Sequence, residues 1–218
     1  MTESGNAVAN SIPRIGETAP DFEAVTTHGM VRLSDYRGKW VVLFSHPADF
    51  TPVCTTEIME FARQSEAFIE RNTQLIGLSI DSIHAHLAWV QNMKEKAGVE
   101  VPFPLIADLD MRVASAYGMV HPGASSTAAV RAVFIIDPEQ QIRALIYYPL
   151  TNGRNIDEIL RLVDSLQTST KHGVATPVNW KPGERVVIPP PKTQAEVKER
   201  VENEFAEKMD FYLVKKDL

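Results

Sequence analysis

Cysteine is almost missing from this sequence: Cys54 stands alone among 218 residues. A single thiol cannot close an internal disulfide or furnish a cysteine-rich zinc site. Long apolar runs are missing as well, none approaching the ~18 residues that a membrane-spanning helix needs. The opening residues Met1-Thr2-Glu3-Ser4-Gly5-Asn6 offer neither the basic nor the apolar region of a secretory signal, so the expected compartment is a reducing, cytoplasmic one. Basic residues are outnumbered 28 to 22, for a formal net charge of −6, which argues against a general nucleic-acid surface. No internal repeat is present. The remaining composition, 44% hydrophobic and 23% charged, is that of a globular protein with length for one sizeable core and an appendage.

The lone cysteine lies in the stretch around which the chain is organised, His46-Pro-Ala-Asp-Phe-Thr-Pro-Val-Cys-Thr-Thr-Glu57. Upstream, Trp40-Val41-Val42-Leu43-Phe44 is short, continuous and β-prone, the pattern of a buried strand. Downstream, Ile58, Phe61, Ala62, Ser65 and Phe68 recur at helical steps. Thr51 fits an N-cap and Pro52 the first helical position, where its missing N–H costs nothing. Cys54 then falls in the first turn, on the face shared by Ile58 and Phe61, which aims the sulfur inward. A free thiol, with a pKa near ~8.5, is only a few per cent ionised at neutral pH. A helix start contributes at most ~2 kcal/mol to its anion, so a nucleophile here needs a second source of positive charge. The plain alternative is a small buried hydrophobe.

Further along, Gln74 to Ile80 is a second buried strand, and Ile83 to Ala97 a helix with Leu87, Val90 and Met93 on one face. Phe103 to Ile106 makes a brief strand and Met111 to Tyr117 a brief helix. Ala129–Ile136 and Ile142–Tyr148 form an antiparallel pair about the turn Asp137-Pro138-Glu139-Gln140, and Asn155 to about Leu166 a last core helix. Ile15 to Leu33 holds a short hairpin about His28-Gly29. The order implies an α/β fold, a mixed β-sheet flanked by helices. From Thr176 prolines and charge dominate; one strand, Arg185–Ile188, and one helix, Thr193 to about Phe205, are expected in an arm too poor in apolar surface to fold alone.

Pro47-x-x-x-Thr51-x-x-Cys54 resembles the active-site signature of the peroxiredoxins, thiol peroxidases on a thioredoxin-like fold. The fuller strings Phe44-Ser45-His46-Pro47 and Asp49 through Glu57 are similar to the one-Cys, peroxiredoxin-6-type group. The likeness continues through Thr176-Pro177-Val178-Asn179-Trp180 and so covers nearly the whole chain. Residues 1–12, small and polar, are expected to form a flexible N-terminus; the resemblance implies a thioredoxin-like peroxidase domain at 13–172 and a dimerisation arm at 173–218. It also implies a homodimer, with a decameric ring of dimers as the larger alternative. The implied reaction is reduction of hydrogen peroxide or an alkyl hydroperoxide through a Cys54 sulfenic acid. With no other cysteine, recycling falls to an external thiol or other reductant. No cofactor, membrane or nucleic-acid partner is implied.

Residue by residue, Arg131 interrupts an apolar strand and must either reach solvent or meet an anion; the resemblance sets it beside Cys54. Thr51 carries two readings, helix cap and hydrogen-bond partner of the sulfur or peroxide. Pro47 is expected to shape the loop and shield the thiolate. Glu57 is either a favourable acid near a helix start or, as in the family, the anchor of arginines, Arg154 among them. His46, next to Pro47, either lines the pocket or is a satisfied core histidine. His84 and His86, two apart on a helix, make a poor metal pair. A cysteine-nucleophile hydrolase or acyl transferase would need a histidine base, for which His46 is the obvious candidate. A chaperone or redox-signalling role is the non-enzymatic alternative. The phospholipase segment of some animal relatives is not carried over, because Lys39 stands where they have serine.

Overall fold

A computed structural model describes residues 12–218; the expected flexibility of residues 1–11 concerns positions outside them. The chain packs as two compact units, one through Ile156 and one from Asp157.

The first unit opens with the hairpin expected about His28-Gly29, strands β1 (Glu23–Thr26) and β2 (Gly29–Arg32). Gly29 turns the corner with a left-handed φ of 93°, a conformation that glycine adopts without steric cost. There follow β3 (Trp40–Ser45), α1 (Pro52–Arg63), α2 (Ser65–Glu70), β4 (Thr73–Ser79) and α3 (Ile83–Ala97). Then come β5 (Leu105–Ala107), α4 (Arg112–Ala116), β6 (Arg131–Ile136) and β7 (Ile142–Tyr148). The seven strands form one sheet in the order β2-β1-β5-β4-β3-β6-β7. β3 runs parallel to β4 and antiparallel to β6, so the sheet is mixed, as the alternation of elements predicts.

Period-two alternation places β3 side chains on two cores. Val41 and Leu43 join Ile76, Leu78, Phe134 and, from the α4 side, Val113 and Tyr117. Phe44 faces the other way and stacks on Phe61 of α1 with ring centres 4.1 Å apart. Phe103 meets both rings edge-on. Gly77 of β4 is what lets this layer close, since a Cβ there would lie 2.5 Å from Leu105 and 3.2 Å from Phe44.

Three local expectations need correction. The helix after Cys54 breaks at Gln64, where the Ser65 hydroxyl bonds the Ala62 carbonyl and competes with the backbone ladder. The inward residues of α3 are His86, Trp89 and Met93, whereas Leu87 is 49% exposed; a polar partner described below holds His86 inside. In the second unit the last core helix, α5, runs through to His172 (Ile156–His172). The expected strand and helix appear as β8 (Val186–Val187) and α6 (Gln194–Glu202). β9 (Glu207–Asp210) and β10 (Leu213–Lys216) join β8 in a three-stranded sheet, order β8-β10-β9, hidden from a sequence reading by its dense charge. Val174, Trp180 and Val186 make its small apolar cluster. Among the described residues no helix is long and apolar enough to cross a membrane.

Candidate active site

The loop from His46 to Thr51 carries the chain out of β3 and into α1. Thr51 is the N-cap residue and Pro52 stands at the helix start, as read from the sequence. The Thr51 hydroxyl does not cap, however. It donates to the Ala48 carbonyl at 2.8 Å, while the Thr51 carbonyl receives the Thr55 N–H and hydroxyl at 3.0 and 2.7 Å. With its hydrogen committed, the Thr51 oxygen is left to act as an acceptor. Between Asp49 and Thr51, Phe50 holds a left-handed backbone, φ 55°, at a cost of roughly 1–2 kcal/mol for a residue with a Cβ.

Cys54 is fully buried and shares the inward face of α1 with Glu57, Ile58 and Phe61. Arg131, at the start of β6, is only 2% exposed. Its Nε and Nη2 donate to the Leu150 carbonyl at 3.1 and 2.7 Å. That double anchor aims Nη1 at two acceptors, Cys54 Sγ at 3.4 Å and Glu57 Oε2 at 2.6 Å. Of the two outcomes open to Arg131, meeting an anion is therefore the one adopted.

Glu57 also receives Arg154. The Arg154 backbone N–H and Nε donate to Oε1 at 2.8 and 2.9 Å, and Nη2 donates to Oε2 at 2.7 Å. Nη1 of Arg154 donates to the carbonyls of Ser45 and Ala132, and the guanidinium lies 5.2 Å from the Phe44 ring centre. Burial pushes the Glu57 carboxyl up, but Arg154 and then Arg131 outweigh it and hold the group below its ordinary range. Two guanidinium groups thus face one carboxylate in a closed space, leaving one positive charge to be balanced beside the sulfur. Glu57→Gln removes the carboxylate that both guanidiniums share. It is expected to cost about 3 kcal/mol, seen as a fall of roughly 6–12 °C in thermal midpoint by calorimetry. A midpoint within about 2 °C of wild type would show the guanidiniums to be satisfied without it.

His46 does not bond the sulfur. Its Nε2 meets Asp49 Oδ1 at 3.0 Å, and its Nδ1 has no hydrogen-bond partner among the described residues. The hydrolase alternative therefore lacks its base. His84 is exposed and His86 buried, on different sides of α3 as expected. His86 instead meets Asp49 Oδ2 through Nδ1 at 2.7 Å and the Ile106 carbonyl through Nε2 at 3.0 Å. His46, Asp49 and His86 lie close enough to surround a metal ion. Yet both nitrogens of His86 face acceptor oxygens and carry hydrogens, so neither has a lone pair to offer, and the trio fits an ion pair better than a metal centre.

The sequence reading gives no role to Asp49 or the Leu150 carbonyl, and weighs His86 only as a poor metal partner of His84. A signal existed for His86, which sits at the inward spacing of Trp89 and Met93; a backbone carbonyl leaves none. Pro47 is half-buried in the same loop as Thr51.

A profile of the AhpC/TSA family matches residues 15–145, and one for the C-terminal domain of 1-Cys peroxiredoxin matches residues 165–204. Peroxiredoxin 2 of Caldanaerobacter subterraneus subsp. tengcongensis is 59% identical over 192 residues, spanning 88% of this chain and 87% of its own. The peroxiredoxin of Aquifex aeolicus is 54% identical over 217 residues, spanning 94% and 97%. Among solved structures, a yeast mitochondrial 1-Cys peroxiredoxin superposes with a TM-score of 0.85 at 44% identity, covering 95% of this chain and 100% of that one. A cysteine-to-serine variant of peroxiredoxin 6 from Arenicola marina gives 0.82 at 39% identity, covering 94% and 97%. The sheet is accordingly of the thioredoxin-like kind, the single thiol matches the one-Cys type, and the chain belongs to the peroxiredoxins, a family of thiol peroxidases.

Proposed function

We propose that Cys54 is the nucleophile of a one-Cys peroxidase acting on hydrogen peroxide and alkyl hydroperoxides. Arg131, Thr51 and Pro47 border the reacting atoms, with Glu57 and Arg154 behind them. The carrying observation is the Arg131 Nη1 contact to Sγ at 3.4 Å inside a cluster that holds one positive charge too many until the sulfur is an anion. The thiolate attacks the distal oxygen, an S–O bond forms as O–O breaks, and the departing oxide leaves as water or alcohol after taking a proton. Arg131 supports charge on the reacting oxygens, as do the N–H groups of Val53 and Cys54 in the first helical turn. The Thr51 oxygen accepts the hydrogen of the incoming hydroperoxide.

The product is a Cys54 sulfenic acid. One thiol converts it to a mixed disulfide and water, and a second releases the Cys54 thiol and carries away the disulfide. The yeast 1-Cys relative has its thiol resolved via glutathione/thioredoxin systems, and we assign this chain a reductant of the same chemistry. Without reductant the expected result is a burst of about one peroxide per chain, after which further peroxide yields sulfinic acid detectable by mass spectrometry. Sustained turnover with no reductant present would refute the one-Cys cycle.

We assign this activity to antioxidant defence in the cytoplasm, where a lone thiol stays reduced. Residues 173–218 serve as the dimerisation arm, in a homodimer or a decameric ring of dimers. The fully exposed strand β9 and the exposed Met209 and Tyr212 support that assignment. The acidic net charge supports no role on nucleic acid.

A further inference from the structure

We propose that Asp49 and His86 are positioning residues of this peroxidase, a buried carboxylate–imidazolium pair that fixes both the loop presenting Thr51 and the tautomer of His46. The inference rests on the peroxidase reading of Cys54.

His86 has no exposed surface, and each ring nitrogen faces an oxygen, Asp49 Oδ2 at 2.7 Å and the Ile106 carbonyl at 3.0 Å. A carbonyl only accepts, and so does an ionised carboxylate, so His86 carries two hydrogens and a positive charge. Three charged or titratable groups face it: Asp49 from the active-site loop, Asp81 from the loop after β4, and His46 from the end of β3. Burial works against the imidazolium, and Asp49, the Ile106 carbonyl and Asp81 outweigh it, so the His86 pKa is raised from its ordinary value.

Asp49 ties the loop down at three points. Oδ2 takes the hydrogen of His86, Oδ1 takes that of His46 Nε2 at 3.0 Å, and the Asp49 N–H donates to Asp81 Oδ2 at 3.0 Å. Asp81 is itself held by the Ser79 hydroxyl at 2.6 Å. The clamp acts where it is needed, because Phe50, the next residue, has a left-handed backbone and a ring 57% exposed. Beside it the link is held by the Thr51 hydroxyl bond to the Ala48 carbonyl and by the Phe50 ring against Trp89, with ring centres 6.3 Å apart. The same carboxylate settles His46: with the hydrogen on Nε2, Nδ1 remains a bare, buried acceptor without a partner among the described residues.

The test uses the full chain with Asp49→Asn, which keeps the shape but sets an NH2 group against one of the two ring N–H groups. kcat/KM for hydrogen peroxide is expected to fall on the order of 10- to 100-fold while KM for the reductant stays put, as for a displaced reacting loop. The wild-type kcat/KM is expected to fall at alkaline pH as His86 loses its second hydrogen and the clamp its charge, and His86→Gln is expected to remove that fall. Nitrogen NMR of histidine-labelled wild type reads the pair directly, with His86 doubly protonated and His46 in the Nε2–H form near neutrality. Wild-type kcat/KM in a folded Asp49→Asn, or a neutral His86 at about pH 7, would overturn the proposal. If Asp49→Asn does not fold, the His86→Gln profile and the NMR decide. A wild-type protein that consumes no peroxide would sink the peroxidase reading instead, while the NMR would still report the ion pair.

Discussion

Replacing Cys54 by serine leaves less than about one thousandth of the wild-type rate of hydroperoxide reduction. The two side chains are close in size, so the buried site keeps its packing and the Arg131–Glu57–Arg154 cluster keeps its bonds. What changes is the nucleophile. A serine hydroxyl stays protonated at neutral pH, and no histidine is bonded to position 54 to take its hydrogen, since His46 is turned to Asp49. No substitute thiol exists elsewhere in the sequence. The measurement is peroxide consumption by stopped flow with saturating reductant, alongside a thermal melt to show that the variant is folded. Turnover at even a tenth of wild type would remove Cys54 from the centre of the chemistry.

Arg131→Met is expected to slow the reaction with peroxide by a factor on the order of 10²–10³, the scale of losing one donor aimed at developing charge. Methionine fills much of the volume of the arginine stem but offers neither charge nor hydrogen. The Leu150 carbonyl loses both its donors and Sγ its one guanidinium contact, whereas Glu57 keeps Arg154. The defect is therefore expected in the second-order rate constant for peroxide and not in the reductant step, and single-turnover kinetics separates the two. Arg131→Lys sharpens the comparison. An ammonium restores the charge but not the planar fork that reaches Leu150, Glu57 and Cys54 together, so an intermediate rate is expected. Wild-type rates in the methionine variant would mean that the helix start alone activates the sulfur.

The parts legible from sequence were those governed by periodicity and by local chain chemistry. β3 and the start of α1 follow from an unbroken apolar run and from Thr51-Pro52, and β7 from Ile142–Tyr148. Arg131 was conspicuous because an apolar strand has no ordinary use for a guanidinium. What stayed hidden depends on side-chain partners and strand pairing that periodicity does not register. The Thr51 hydroxyl donates to the Ala48 carbonyl and its oxygen accepts no N–H from the helix start, a local geometry that composition does not register. The inward turn of His86 rests on Asp49, 37 residues away, and so rotates the helix to put Leu87 outside while Met93 stays inside. β9 and β10 escaped notice because Glu207-Lys208-Met209-Asp210 alternates charge where a strand is ordinarily recognised by apolar side chains.

Cys54 has no accessible surface, and this bears on the second half of the cycle more than on the first. A hydroperoxide is small enough to reach the sulfur through slight movements of the half-buried loop, but a thiol borne on another protein is not. The oxidised sulfur has to gain accessible surface before such a donor can touch it, and the first turn of α1, residues 52–55, is the segment that holds it in. How long the enzyme remains oxidised is then a matter of how often that turn breathes. Any change that stiffens it lengthens the interval in which a second peroxide can strike, trading resilience for tightness.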